Sequence, residues 1–284
     1  MAASETRTRV LVAIPGVFVA LGAIYAGRWV LAALLALIAA LTARELFVMA
    51  ARKAPRPLGA LGMAGAAGIV LAAGAAPAEG LDNPLPAAVL ILLALVAPAA
   101  AIWSRGVEGE PLLSVSTTVF GAGYAALVAF GLYLRHLPGV DDALHGSAIL
   151  FAPVLLTWAS DTFAYFGGRA MGRHKLIPRV SPGKTVEGAV SAVVGTVVVG
   201  AAYALFLARF VTWVPTPLEG ALFGLLVSVA AQMGDLAESA WKRDVGVKDS
   251  GTLLPGHGGA LDRFDSLLFT LPLGYAFFRF VVGY

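Results

Sequence analysis

Apolar residues in this chain gather into long runs separated by short polar stretches, with no helical or strand period dominating. Runs of about 20 apolar residues can cross the roughly 30 Å hydrocarbon layer as helices that satisfy their own backbone hydrogen bonds. Such runs cover residues 10–26, 29–49, 58–76, 85–103, 115–134, 147–166, 188–208, 218–236 and 264–283. They predict an all-α polytopic membrane helical bundle of about nine transmembrane helices. The weakest run, 58–76, is rich in Gly and Ala, which permit close helix approach. The first run follows Arg7 and Arg9 and so resembles a signal peptide. Bulky Ile24 and Tyr25 make a poor cleavage site, and another run follows at once, so it reads as a retained span.

Composition agrees. Of 284 residues, 59% are hydrophobic and only 13% are charged, against roughly 25% in soluble domains. Mean hydropathy is +0.83. The absence of cysteine excludes a disulfide framework, a thiolate metal site and a cysteine nucleophile. A net charge of +3 could suggest nucleic acid, but no basic surface interleaved with aromatic residues accompanies it. The basic residues follow topology instead. With the amino terminus in the cytoplasm, all of the 20 Lys and Arg except Arg28, Arg135, Arg209 and Arg279 fall at the inner face. That orientation suits a multi-pass protein of the inner (plasma) membrane, its polar segments facing the cytoplasm.

Short connections favour one integral membrane domain over 1–284, with scaffold helices in 1–143 and a catalytic portion in 144–284. The first part offers little chemistry. Arg44 and Glu45 read as an ion pair, a headgroup contact or a snorkelling arginine beside an acid. Arg52, Lys53 and Arg56 form an ordinary patch for anionic headgroups. His136 and His145, near Asp141 and Asp142, read as a solvated outer loop in preference to a metal site. Trp29, Trp103, Trp213 and Tyr284 suit interfacial anchoring.

The chemistry concentrates in residues 234–266. Six carboxylates (Asp235, Glu238, Asp244, Asp249, Asp262, Asp265) lie there with Lys242, Arg243, Lys248, Arg263 and His257. On a continuing helix Asp235, Glu238 and Lys242 share one face. Gly256-His257-Gly258-Gly259 can turn sharply and present backbone N–H groups to an anion. Oxygen ligands beside phosphate donors suit a magnesium-type ion.

A second polar region spans 158–188. Asp161 lies in or near an apolar run, where an ionised carboxylate is costly, so a functional role is the default and pairing with Arg169 the structural alternative. Arg173, His174, Lys175 and Arg179 follow, then Ser181-Pro182-Gly183-Lys184-Thr185 and Glu187 before the next run. Hydroxyls, an ammonium and a helix amino terminus suit phosphate. The spacing is not that of a Walker loop.

Trp158, Asp161, Ala164, Tyr165, Gly172, His174, Lys175, Ser181, Pro182, Lys184, Thr185, Glu187 and Gly188 form one half of a familiar pattern. Ser239, Lys242-Arg243, Lys248-Asp249, Pro255, His257-Gly258-Gly259 and Asp262-Arg263-Phe264-Asp265 form the other. Together they resemble the motifs of the phosphatidate cytidylyltransferases, the CDP-diacylglycerol synthases. The resemblance implies that CTP and phosphatidate yield CDP-diacylglycerol and pyrophosphate in phospholipid biosynthesis. Magnesium is expected on Asp235 and Asp262, which a folded-back loop would bring together, and the family also suggests a second, monovalent cation such as K+. Lys184, Lys242, Arg243, Lys248 and Arg263 are candidate phosphate ligands, their division between the two substrates left open. Asp161, Ser181, Thr185 and Glu187 are expected around CTP or the metal. Asp249 and Asp265 are expected to orient those ligands, and Glu238, Ser239, Gly258 and Gly259 join the substrate-binding set. His257 reads as a hydrogen-bond donor or proton shuttle, and equally as a loop-fixing residue in the glycine turn. Tight Ala- and Gly-rich helices make a homodimer plausible. Two readings compete: a cytidylyltransferase acting on an archaeol-type lipid phosphate, and a cation-coupled transporter built on Asp161 and Asp235.

Overall fold

The structure is a computed structural model that describes residues 15–53, 56–140, 142–211, 215–251 and 258–284. Its helices are α1 (Pro15–Ala26), α2 (Arg28–Ala50), α3 (Gly59–Ala75), α4 (Leu85–Ser104), α5 (Pro111–Ala125), α6 (Phe130–Arg135) and α7 (Ala143–Met171). A short hairpin follows, β1 (Lys175–Ile177) and β2 (Ser181–Thr185), then α8 (Val186–Leu207), α9 (Pro217–Asp244), α10 (Leu261–Phe264) and α11 (Leu267–Phe277). Among the described residues, seven helical stretches are long and apolar enough to span a bilayer, while α1 and α3 are shorter. Each of the nine predicted runs therefore meets a helix, but nine full-length spans are not established. Arg7, Arg9 and the start of the first run lie outside the described residues, as do Asp141 and Trp213.

Several boundaries differ from the sequence reading. The run at 115–134 is broken by a 3₁₀ turn, Ala126–Ala129, between α5 and α6. The last span begins with the single turn of α10 and ends in a π-helical turn, Phe278–Val282. The antiparallel hairpin before α8 was not anticipated; Lys175 pairs with Thr185 and Ile177 with Ser181. Strands of three and five residues carry too little alternation to announce themselves.

Two helices outrun their apolar segments and carry chemistry beyond them. α9 starts from a complete capping box, Thr216 with Glu219, with a proline in its first turn. It ends on Lys242 and Arg243, cations that suit a helix carboxy terminus. α7 is N-capped by Asp142, whose side chain accepts from the His145 N–H at 3.0 Å.

Small residues bring the catalytic helices together. A side chain at Gly200 would strike the Gly220 carbonyl, and one at Gly224 would strike that of Thr196, so α8 and α9 touch backbone to backbone. Buried hydroxyl pairs tie α7 to its neighbours, Ser160 with Ser228 at 3.0 Å and Thr157 with Thr270 at 3.1 Å. The main core draws on α2, α3, α5, α7, α9 and α11. Large residues left outside it, such as Ile91, Leu92 and Leu95 of α4 or Val190, Val194 and Val198 of α8, suit contact with lipid.

The connections sort into two ends. At one, Lys53 meets Asp244 at 2.5 Å, Arg105 donates to the carbonyls of Arg56 and Pro57, and Arg243 reaches the Val180 carbonyl at 3.4 Å. At the other, Arg135 donates to the Ile24 and Tyr25 carbonyls, and the Arg28 N–H donates to His136 Nε2 at 3.2 Å. Burial, with the nearby arginines, lowers the His136 pKa and favours the neutral ring that can accept this bond.

Candidate active site

A cavity of about 710 Å³ opens where α7, β2, α8 and α9 converge, at the end that gathers the basic connections. Asp161, Tyr165, Arg169, Lys184, Thr185, Gln232 and Asp235 are among its lining. Lys184 Nζ lies 2.6 Å from Asp235 Oδ2. That ammonium is buried and makes no well-formed hydrogen bond among the described residues, so donors remain for an anion. Asp161 lines the same cavity, while Asp265 is buried and accepts from the Ser266 N–H at 2.6 Å. Ser239 donates to Asp235 Oδ1 at 3.3 Å.

The hairpin sets Lys184 in place. Glu187 accepts from the Arg173 and His174 N–H groups and lies 2.6 Å from His174 Nδ1, which pins the start of the hairpin to the first turn of α8. Thr185 N-caps α8 by accepting from the Gly188 N–H at 3.1 Å. Glu187 and Thr185 thus shape the site through the backbone. Ser181 opens β2, half-buried.

A second cluster lies further along α9. Lys242 Nζ is 2.5 Å from Glu238 Oε2 and 2.7 Å from Asp262 Oδ1, with all three side chains largely buried. Asp262 Oδ2 accepts from the Ser250 N–H and hydroxyl, both at 2.9 Å, and from the Gly259 N–H at 2.8 Å. Gly258 has a positive φ of 80°, and a side chain there would press on Asp262. Glu45 of α2, 3% exposed, completes this cluster. It accepts from the Ser250 hydroxyl at 2.8 Å and from the Ala260 and Leu261 N–H groups at 2.9 Å each.

The two acids expected to share a metal therefore stand in different surroundings. Asp235 faces the cavity, whereas both oxygens of Asp262 already hold protein donors. Among the described residues no group of three or more His, Asp or Glu forms a ready cation cage. Asp235 and Asp161 both line the cavity, and their hard carboxylate oxygens suit magnesium, with Asp235 already beside the Lys184 ammonium. Arg243 bridges the hairpin and the Val247 carbonyl, and Lys248, Asp249 and Arg263 are exposed near the same end. His257, with Pro255 and Gly256, lies outside the described residues. Sequence reasoning passed over Gln232, a neutral amide beside a charged motif, and treated Glu45 as peripheral. No local pattern marks Gln232, whereas an acid in an apolar span was the available signal for Glu45.

An apolar bundle with a cavity at one end lined by both carboxylates and cations defines an integral membrane protein with a charged site. The family model described as "Cytidylyltransferase family" matches residues 7–281, and the chain belongs to that family, which makes it a nucleotidyltransferase. It is similar to the phosphatidate cytidylyltransferase of Synechocystis sp., 33% identical over an alignment of 292 residues that covers 95% of each chain. Proteins of the same name from Bacillus subtilis (42% identical, 50% of this chain and 51% of that protein) and Haemophilus influenzae (37%, 68% and 65%) match shorter stretches.

Proposed function

We propose that this protein is a CTP:phosphatidate cytidylyltransferase of the plasma membrane, its site open to the cytoplasm. The observation that carries the reading is the buried Lys184 ammonium beside Asp235 in a cavity at the bundle end, within a chain similar along almost its whole length to a phosphatidate cytidylyltransferase. An oxygen of the lipid phosphate attacks the α-phosphorus of CTP. The bond from that phosphorus to the oxygen bridging to the β-phosphate breaks, and pyrophosphate leaves. The attacking oxygen is already anionic near neutral pH, so the site needs no strong base. Its task is to hold two anions together and neutralise their charge.

Lys184 and Arg169 supply cations at the cavity wall, and the exposed Arg243, Lys248 and Arg263 add positive charge to the same end of the bundle. Asp235, with Asp161 on the same cavity wall, would contribute carboxylate oxygens to magnesium, which would screen the triphosphate and stabilise the leaving pyrophosphate. Asp262 Oδ1 already accepts from Lys242 and Oδ2 from three donors, so we assign Asp262 first to holding Lys242. A homodimer built on lipid-facing small and apolar residues belongs to the same reading.

Purified protein in lipid nanodiscs, given labelled CTP, phosphatidate and magnesium, should form CDP-lipid and pyrophosphate in equal amounts. An unsaturated isoprenoid ether phosphate should be a much poorer acceptor. No CDP-lipid from phosphatidate, or a clear preference for the ether lipid, would overturn the assignment.

A further inference from the structure

Glu45 is one of the most deeply buried acids among the described residues. It lies in α2, a candidate membrane span, with only 3% of its surface exposed, and a carboxylate so placed is costly unless donors surround it. The donors it meets come from more than 200 residues away: the Ser250 hydroxyl and the amides of Ala260 and Leu261. Oε1 takes the Ala260 N–H, while Oε2 takes the Leu261 N–H and the Ser250 hydroxyl. The turn closes tightly around the carboxylate, because a side chain at Gly251 or Gly259 would run into it.

Ser250 joins this acid to the second one. Its hydroxyl lies 2.8 Å from Glu45 Oε2 and 2.9 Å from Asp262 Oδ2. One hydroxyl proton serves only one acceptor at a time, so backbone amides complete both carboxylates. From Asp262 the chain of contacts passes to Lys242 and then to Glu238. A continuous polar link therefore runs from α2, through both ends of the segment that joins α9 to α10, and onto the polar face of α9.

We infer that Glu45 is a positioning residue for cytidylyl transfer: it staples Ser250 to Ala260 and Leu261, and so holds Asp262 against Lys242. The activity arm of this inference rests on the function proposed above; the staple itself does not. Glu45→Gln keeps the volume but turns one acceptor oxygen into a donor that faces another N–H. The staple should loosen while the cavity cations stay in place. A displacement of about 1 Å can cost roughly a hundredfold in turnover, whereas ground-state contacts to CTP change little.

The test uses the full chain in nanodiscs. Hydrogen exchange over residues 258–264 should quicken at least about tenfold in Glu45→Gln, with the thermal midpoint of the bundle little changed. The kcat should fall about thirtyfold or more, while the KM for CTP stays within about threefold. Ser250→Ala, which cuts the bridge to Asp262 but leaves the amide bonds to Glu45, should give a smaller fall in kcat. The double variant should lose less than the product of the two, as expected for groups in one network. Exchange and kcat in Glu45→Gln both near wild type would overturn the inference, as would losses that multiply independently. If Glu45→Gln does not accumulate, Ser250→Ala decides alone: a kcat within about twofold of wild type overturns the proposal. A wild-type protein that makes no CDP-lipid would defeat the proposed reaction, while the exchange measurement would still read the staple.

Discussion

Asp235 and Asp262 answer to different physics. Asp235 is about a third exposed at the cavity and pairs with Lys184, whereas Asp262 is 7% exposed and holds Lys242 together with three other donors. Removing one partner of a buried ion pair leaves an uncompensated charge, which costs about 3–5 kcal/mol. Asp235→Asn, at the more open pair, should cut turnover by at least about a hundredfold with a smaller drop in thermal midpoint than Asp262→Asn. Asp262→Asn should lose turnover and unfold several degrees earlier. Parallel activity assays and thermal melts separate the two. Equal stability in both variants would show that the Lys242 cluster does not hold the loop. The motif residues that line the cavity, Asp161, Lys184 and Asp235, were legible from charge placed where charge is expensive. The partners of Glu45 were not, because they lie more than 200 residues away and nothing in its own neighbourhood names them.

At the scale of elements, the site depends on how closely α8 and α9 approach. Gly224→Val would put a branched side chain against the Thr196 carbonyl and the backbone of Val197, which have little room to move. The helices should part, destabilising the bundle by about 1–3 kcal/mol or more and drawing Asp235 away from Lys184. Thermal unfolding and turnover should fall together. Thr216→Ala offers the contrast. It removes the cap at the far end of α9, costs about 1 kcal/mol and leaves turnover near wild type. Retained stability in Gly224→Val would mean that the close crossing is not needed. The hairpin before α8 illustrates what local pattern misses. Its strands are too short to read, and they exist because Glu187 and Thr185 gather the surrounding amides.

For the whole molecule, the decisive feature is that the four connections bearing most of the basic residues meet at one end. By the positive-inside rule we propose that the cavity faces the cytoplasm. A chain with no cysteine makes this easy to check, since single cysteines can be introduced one at a time. Arg179→Cys, in the exposed hairpin turn, should react with a membrane-impermeant maleimide only in inverted vesicles. Leu144→Cys, 55% exposed at the opposite end, should react only from outside intact cells. The reverse pattern would place the cavity on the wrong side for CTP.

Run length and charge bias, both local quantities, determined the helical membrane architecture and its expected orientation, because a bilayer imposes the same length and the same cost of charge on every span. Residue type and spacing also sufficed to name the acids and cations of the two polar regions. Which acid meets which cation was decided only in three dimensions. The Lys184–Asp235 pair, the enclosed Lys242 cluster and the reach of Glu45 across the molecule depend on helices that touch through glycine backbones. Their separations are set by packing, which no single stretch of sequence contains.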